Sequence, residues 1–101
     1  MSDTYILDNR KPVKCDLMTW AMWFEEGFDN RRVDEYVDGN VRVSTVFLGL
    51  DHQFGGEGPP LLFETMVFGG EHDGYQERCS TWEQAEEMHA RACRMVKEVA
   101  T

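Results

Sequence analysis

Apolar residues recur at helical spacing in a segment near the start of the chain. The positions i, i+3, i+4 and i+7 of this stripe are Leu17, Trp20, Ala21 and Phe24. That spacing places the side chains on one face of a helix, which predicts that they turn inward. Asp16 suits the N-cap and Gly27 is a typical C-terminal stop, so the predicted helix ends at Glu26.

A second helix is predicted at the end of the chain. Ser80 or Thr81 can cap it, because an acidic or amide residue follows each of them three positions later, as in a capping box. Acidic residues in the first turns and basic residues later match the helix dipole, and the helix is expected to continue to about Val99. Its predicted buried stripe consists of Ala85, Met88, Ala92, Met95, Val96 and Val99.

Between the helices, alternating residues with many β-branched side chains predict strands. The segments expected to be strands are Arg32 to Val37, Val41 to Leu48, Leu61 to Phe68 and Tyr75 to Cys79, preceded by a short edge strand from Tyr5 to Leu7. Asp38-Gly39 is a typical hairpin turn, and the glycine-rich stretch from Gly49 to Pro60 is predicted to be a loop. The later strands are therefore expected to form a meander.

These elements predict an α+β fold in a single domain over residues 1–101. We expect an antiparallel sheet of four to five strands, in the order β-α-β-β-β-β-α, with the two helices packed on one face. The other face carries aromatic and aliphatic residues of its own, and leaving it in water would expose a larger apolar patch than monomers usually tolerate. A homodimer or higher homo-oligomer is therefore expected.

Met18, Met22 and Trp23 extend the apolar surface of the first helix around its circumference. Two interpretations are open. In the first, the helix is sandwiched between the sheet and the C-terminal helix, which cover these side chains. In the second, they form an oligomer or partner contact, to which adaptable Met and large Trp side chains are suited.

Composition narrows the class of protein. Apolar residues make up 42% of the chain, which is enough for one hydrophobic core. The first residues lack the basic and apolar segments of a signal peptide, and no apolar run approaches the roughly 20 residues that span a bilayer. Cys15, Cys79 and Cys93 are an odd number with wide spacings, which favours reduced thiols. We expect a cytoplasmic protein without a membrane partner.

The charge is strongly acidic. A formal net charge of -9 repels phosphate backbones, so direct nucleic-acid binding is disfavoured. The same charge could attract a basic groove on another protein, or it could serve solubility alone.

Candidate binding residues lie in the glycine-rich loop and in a cluster of cations. The loop residues are Asp51, His52, Gln53 and Phe54, and the cations are Arg31, Arg32 and Arg42. A carboxylate, an imidazole, an amide and an aromatic ring on one loop are typical of recognition. Planar guanidinium groups suit phosphate, so the arginines would hold an anionic small-molecule ligand. The alternative is that they solvate the edge of a hairpin.

No catalytic or metal signature stands out. The loops holding His52 and His72 leave opposite ends of the predicted strand from Leu61 to Phe68, which separates them by roughly 25 Å within one subunit. His89 and Cys93 are four residues apart on the last helix, but two ligands are too few for a structural zinc. The glycines of the loop lack the Lys-Ser/Thr ending of a P-loop. No catalytic residue, metal or cofactor is therefore assigned.

Two long strings carry a resemblance to a known family. They are residues 43–55 (VSTVFLGLDHQFG) and 58–70 (GPPLLFETMVFGG). With them, the sequence resembles a family of small bacteriophage and prophage proteins, and the similarity covers most of the chain. No activity is established for that family, so the resemblance carries over no site residue. It implies a setting, a phage accessory protein in the cytoplasm of a bacterial host.

The function expected from this setting is non-enzymatic binding that antagonises host defence. The partner would be a host protein, blocked as a defence effector, or a nucleotide immune signal that is sequestered. The alternative from another class is a small hydrolase or nucleotide-processing enzyme in which His52 acts with Asp51 or Glu64 as general acid and base. A virion-assembly accessory is a third interpretation.

Overall fold

In the described residues, the helices and strands follow one another in the order β-β-α-β-β-β-β-α. The computed structural model describes residues 3–27, 31–51 and 58–98. The elements are β1 Thr4–Asp8, β2 Lys11–Cys15, α1 Leu17–Glu25, β3 Arg32–Asp38, β4 Val41–Phe47, β5 Phe63–Phe68, β6 Gln76–Cys79 and α2 Trp82–Glu98. All paired strands are antiparallel, and the predicted α+β class is confirmed.

The strands form two sheets, where the sequence predicted one. β3, β4, β5 and β6 make a four-stranded meander in chain order, as expected, and β1 pairs with β2 in a separate hairpin. Strand β2 was not predicted from the sequence, because Pro12 lacks the N–H that a strand uses in its ladder. Pro12 lies opposite Leu7 in a strand at the edge of its sheet, where the missing N–H breaks no second ladder.

The β1–β2 hairpin is attached to the end of the meander by backbone contacts. The amide of Tyr5 donates to the carbonyl of Gly49 at 2.8 Å. Gly49 has a φ of +75°, and a Cβ at this position would collide with the Trp20 ring and the Tyr5 carbonyl. The close approach of α1 and β1 to this point therefore requires glycine.

The hydrophobic core lies between the meander and α2. The inward residues of the two central strands are fully buried, and they are Val43, Thr45, Phe47, Phe63, Thr65 and Val67. Helix α2 covers them with Ala85, Met88 and Ala92, as its predicted stripe requires. The Phe47 ring contacts Phe63 at 5.1 Å and Trp23 at 5.6 Å between centroids, both edge-on. One aromatic cluster thus joins β4, β5 and α1.

Helix α1 turns most of the predicted stripe inward, since Trp20, Ala21 and Phe24 are half-buried. The exception is Leu17, the first residue of the helix, which is 65% exposed. The predicted cap is confirmed, since the Asp16 carboxylate accepts from the Thr19 amide at 2.7 Å. The helix therefore packs through Trp20, Trp23 and Phe24 and leaves Leu17, Met18 and Met22 in solvent.

Removing the Phe47 ring tests this account of the core. Phe47→Ala is expected to lower the free energy of unfolding by about 3–5 kcal/mol, because it deletes the ring that β5 and α1 both contact. Urea denaturation followed by tryptophan fluorescence measures the change. Met18→Ala, at a position that is 71% exposed, is the matched control and should stay within about 0.5 kcal/mol of the parent. Equal effects of the two substitutions would contradict this core.

Candidate functional site

Of the four residues predicted to bind from the glycine-rich loop, only Asp51 lies within the described part of the chain. Asp51 Oδ1 accepts a hydrogen bond from the Leu61 amide at 3.1 Å, which ties together the two ends of the loop. His52, Gln53 and Phe54 lie outside the described residues. Their proposed role in binding stays a prediction.

The three predicted arginines do not form one site. The Arg31 guanidinium lies 3.6 Å from the Phe24 ring centroid, and burial lowers its pKa. Arg32 pairs with Glu35 at 3.8 Å, and Arg42 lies 4.6 Å from the centroid of Phe68. Arg32 is opposite Val46 in the β3–β4 register, four residues from Arg42 along β4, so the two guanidinium groups start roughly 14 Å apart. The sequence neighbours thus separate in space.

Arg32 and Arg42 instead share the face of the meander that points away from α2. Strand alternation and register define this open face, which consists of Arg32, Glu35, Val37, Arg42, Ser44, Val46, Glu64, Met66, Phe68, Gln76 and Arg78. A surface depression of about 210 Å³ lies along its centre. The residues that line the depression are Arg42, Ser44, Val46, Glu64, Met66 and Phe68.

Glu64 is already engaged on the open face. Its Oε2 accepts from Arg78 Nε at 3.0 Å and from the Gln76 amide nitrogen. Both hydrogen bonds hold this carboxylate oxygen against β6. A general acid role for Glu64, considered from the sequence, would first have to break these bonds.

A second candidate surface is the solvent face of α1. The exposed fractions of Leu17, Met18 and Met22 are 65%, 71% and 63%. Trp23, predicted to belong to this contact, is instead turned toward Phe47 in the core. Carboxylates lie at both ends of the helix. At its N-terminal end, hydrogen bonds from the Thr19 backbone and side chain lower the pKa of Asp16. At its C-terminal end, Glu25 and Glu26 are exposed.

A buried polar network, which was not predicted from the sequence, crosses the interface between the sheet and α2. Thr45 Oγ1 lies 2.5 Å from Thr65 Oγ1 and 2.7 Å from His89 Nδ1. His89 Nε2 is 3.8 Å from the Asp34 carboxylate, which a β-bulge between Arg32 and Asp34 turns toward α2. The signal was present in the sequence, since His89 follows Ala85 by one helical turn on the buried stripe.

This network resembles a catalytic threonine, histidine and aspartate only in residue types. Thr45 and Thr65 have no exposed surface, and His89 is 5% exposed, so a substrate cannot reach the hydroxyl groups. The bonds satisfy polar atoms that would otherwise be buried without partners. The arrangement is therefore structural.

A surface pocket of about 410 Å³ lies where β6 meets α2. Its Arg78 pairs with Glu64, and its Arg91 pairs with Glu77 at 2.9 Å. Burial, the main cause, raises the pKa of Cys79 in the pocket wall to about 11. The thiol therefore stays protonated near neutral pH, which is the wrong state for a nucleophile.

In the described parts of the chain, the acidic and histidine side chains do not form a metal site, and neither helix could cross a membrane. Asp38, Glu71 and His72 line one shallow pocket of about 260 Å³ at the far end of β5 from Asp51. Over residues 3–27, 31–51 and 58–98, no group of three His, Cys, Asp or Glu side chains has the geometry to hold a metal ion. Within the same residues, neither helix has the length and apolar character needed to cross a bilayer.

Comparison of the chain with protein-family models, with curated proteins and with solved structures gives no match.

The buried imidazole should make stability depend on pH. Burial lowers the pKa of His89, an effect that nearby Asp34 opposes, so the unfolded chain takes up a proton near pH 6.5 before the folded chain does. The free energy of unfolding should fall as the pH drops below about 6.5, by at most about 1.4 kcal/mol per pH unit. Urea midpoints at several pH values measure this slope. His89→Gln should flatten it relative to the parent, and parallel profiles would contradict the assignment.

The Cys79 thiol should be slow to react. At neutral pH, iodoacetamide is expected to alkylate Cys79 at least about tenfold more slowly in the folded protein than in urea, because only the thiolate attacks. Peptide mass spectrometry over a time course gives the two rates. Fast alkylation of Cys79 in the folded protein would restore it as a candidate nucleophile.

Proposed function

We propose that the protein is a non-enzymatic binding protein that attaches to a partner protein through the solvent face of α1. The observation that carries the proposal is the exposure of Leu17, Met18 and Met22, each above 60%, on a helix of nine residues. Large apolar side chains grouped on one exposed face are typical of contact surfaces.

The helix is fixed from behind, which favours binding. Trp20 stacks on Phe24 at 4.8 Å, and Trp23 contacts Phe47 at 5.6 Å between ring centroids. The Arg31 guanidinium covers the Phe24 ring at 3.6 Å. A helix anchored by these rings loses little conformational entropy on association, so more of the contact energy is left for affinity.

The chemistry of the face indicates the kind of partner. Met side chains adapt to irregular apolar grooves. The carboxylates of Asp16, Glu25 and Glu26 flank the apolar residues, and α1 contains no basic residue. A groove with an apolar floor and a basic rim is therefore the complementary surface, and the net charge of -9 would speed the encounter with it.

The enzymatic alternative has less support among the described residues. Asp51 accepts a hydrogen bond from the Leu61 amide, and Glu64 accepts hydrogen bonds from Arg78 and Gln76. The Thr45 and Thr65 hydroxyl groups of the His89 network are fully buried. The resemblance to phage proteins suggests the setting of the binding, which is antagonism of host defence in a bacterial cytoplasm. Between the two targets considered, a protein effector fits better than a nucleotide, because Arg32 and Arg42 do not converge on one phosphate.

Substitution of the α1 face tests the proposal. Met18→Glu/Met22→Glu is expected to weaken partner binding at least about tenfold, since it places carboxylates where apolar contact is needed. The tagged protein is recovered from phage-infected bacteria, the retained host protein is purified, and calorimetry gives its affinity for each variant. Circular dichroism verifies that the variant is folded.

Val13→Glu is the matched control, because it introduces the same charge at an apolar side chain of β2 that is 43% exposed and lies outside both α1 and the open face. It should retain the partner. Equal affinity of the α1 variant and the parent would refute the proposed surface. Multiple-turnover conversion of a substrate, lost in His52→Ala, would refute the proposal of binding without catalysis.

A further inference from the structure

We propose that the open face of the meander binds the open face of a second copy of the chain, in a two-fold symmetric dimer. The inference is independent of the partner bound through α1. The open face presents apolar residues to solvent. Val37 is 59% exposed, Phe68 is 38% exposed, and Val46 and Met66 are half-buried. Helix α2 covers only the opposite face of these strands.

Charge identifies the second copy as the occupant. The open face carries the arginines Arg32, Arg42 and Arg78 and the glutamates Glu35 and Glu64, within a chain whose net charge is -9. Positive and negative side chains are nearly balanced on this face. Two such acidic molecules therefore repel each other least when the open face of one copy meets the open face of the other. The α1 face is a poor self-contact, because its flanking carboxylates would meet those of the other copy.

The strand register gives a specific two-fold arrangement. Arg42 lies level with Phe68, Ser44 with Met66, and Val46 with Glu64. A two-fold axis that crosses the strands at the level of Ser44 and Met66 exchanges the two ends of the face. Arg42 of one copy then lies opposite Val46 and beside Glu64 of the second copy. Each dimer contains this cation–carboxylate contact twice.

The expected dimer is weak. The four strands have seven, seven, six and four residues. At about 3.4 Å per residue and about 4.8 Å between strands, each face covers roughly 390 Å², so the interface buries on the order of 800 Å² in total. That is below the range of standard stable interfaces and within that of transient ones. We therefore expect a dissociation constant in the micromolar range, and a monomer–dimer equilibrium that depends on concentration.

Two single charge reversals, separate and mixed, test the arrangement. Arg42→Glu alone should be monomeric, because it sets carboxylate against carboxylate in both symmetric contacts. Glu64→Arg alone should be monomeric, because it sets guanidinium against guanidinium. An equimolar mixture should recover the dimer, since every contact in the heterodimer is again between opposite charges. Sedimentation velocity from about 5 to about 500 µM measures the three samples and the parent.

Controls separate this inference from folding defects and from the α1 proposal. Met18→Glu/Met22→Glu should dimerise like the parent. If Glu64→Arg fails to fold after losing the Arg78 pair, Met66→Lys and Met66→Glu replace the two variants, because Met66 lies at the axis. Each should be monomeric alone and the mixture dimeric. A parent that stays monomeric over the whole range, or a mixture that does not recover the dimer, would overturn the proposed interface.

Discussion

The pairing of β4 with β5 is the contact on which the rest of the molecule depends. Its register aligns Val43 with Val67, Thr45 with Thr65 and Phe47 with Phe63, and none of these side chains is exposed. A slip of one residue would turn the whole set to solvent and bring Arg42 and Glu64 inside. Such a slip would be costly, because in the observed register the valine pair, the threonine pair and the phenylalanine pair each fill one layer beneath α2.

The same register places one polar layer between two apolar ones. Thr45 and Thr65 lie between the valine and phenylalanine pairs, and His89 of α2 meets them at 2.7 Å from Thr45 Oγ1. An apolar helix stripe can slide along an apolar sheet with little penalty. A buried imidazole that must find a hydroxyl group fixes the position of α2 along β4, since a displaced helix would leave polar atoms without partners.

The strong alternation of the meander and the capping signals of the helices made the α+β class predictable from sequence. The departures have physical causes. Pro12 concealed β2, since the sequence does not say that the strand lies at an edge. Leu17 fits the helical period of the inward stripe, but it is the first residue of α1 and stays exposed, whereas Trp20, Ala21 and Phe24 of the same stripe are half-buried.

The candidate sites were less predictable than the fold. Adjacent arginines look like one cation cluster in the sequence, yet alternation and the β-bulge direct Arg31 to Phe24 and Arg32 to the open face. His89 was considered as a metal ligand with Cys93, because helical spacing is visible in the sequence and its contact with Thr45, 44 positions away, is not. Contacts of that separation need the strand register.

The two proposed surfaces are compatible because they lie on opposite sides of the sheet. Trp23 joins α1 to Phe47, and Phe47 points toward the layer that contains α2, whereas Arg42 and Met66 point away from it. A dimer closed through the open faces would thus leave both α1 helices on its outer surfaces. Such a dimer could hold two partner molecules, or two sites of one symmetric partner, in which case a weak contact through each α1 would combine into a stronger one. Weak self-association would then increase affinity for the partner as the protein accumulates, without any change in the α1 surface itself.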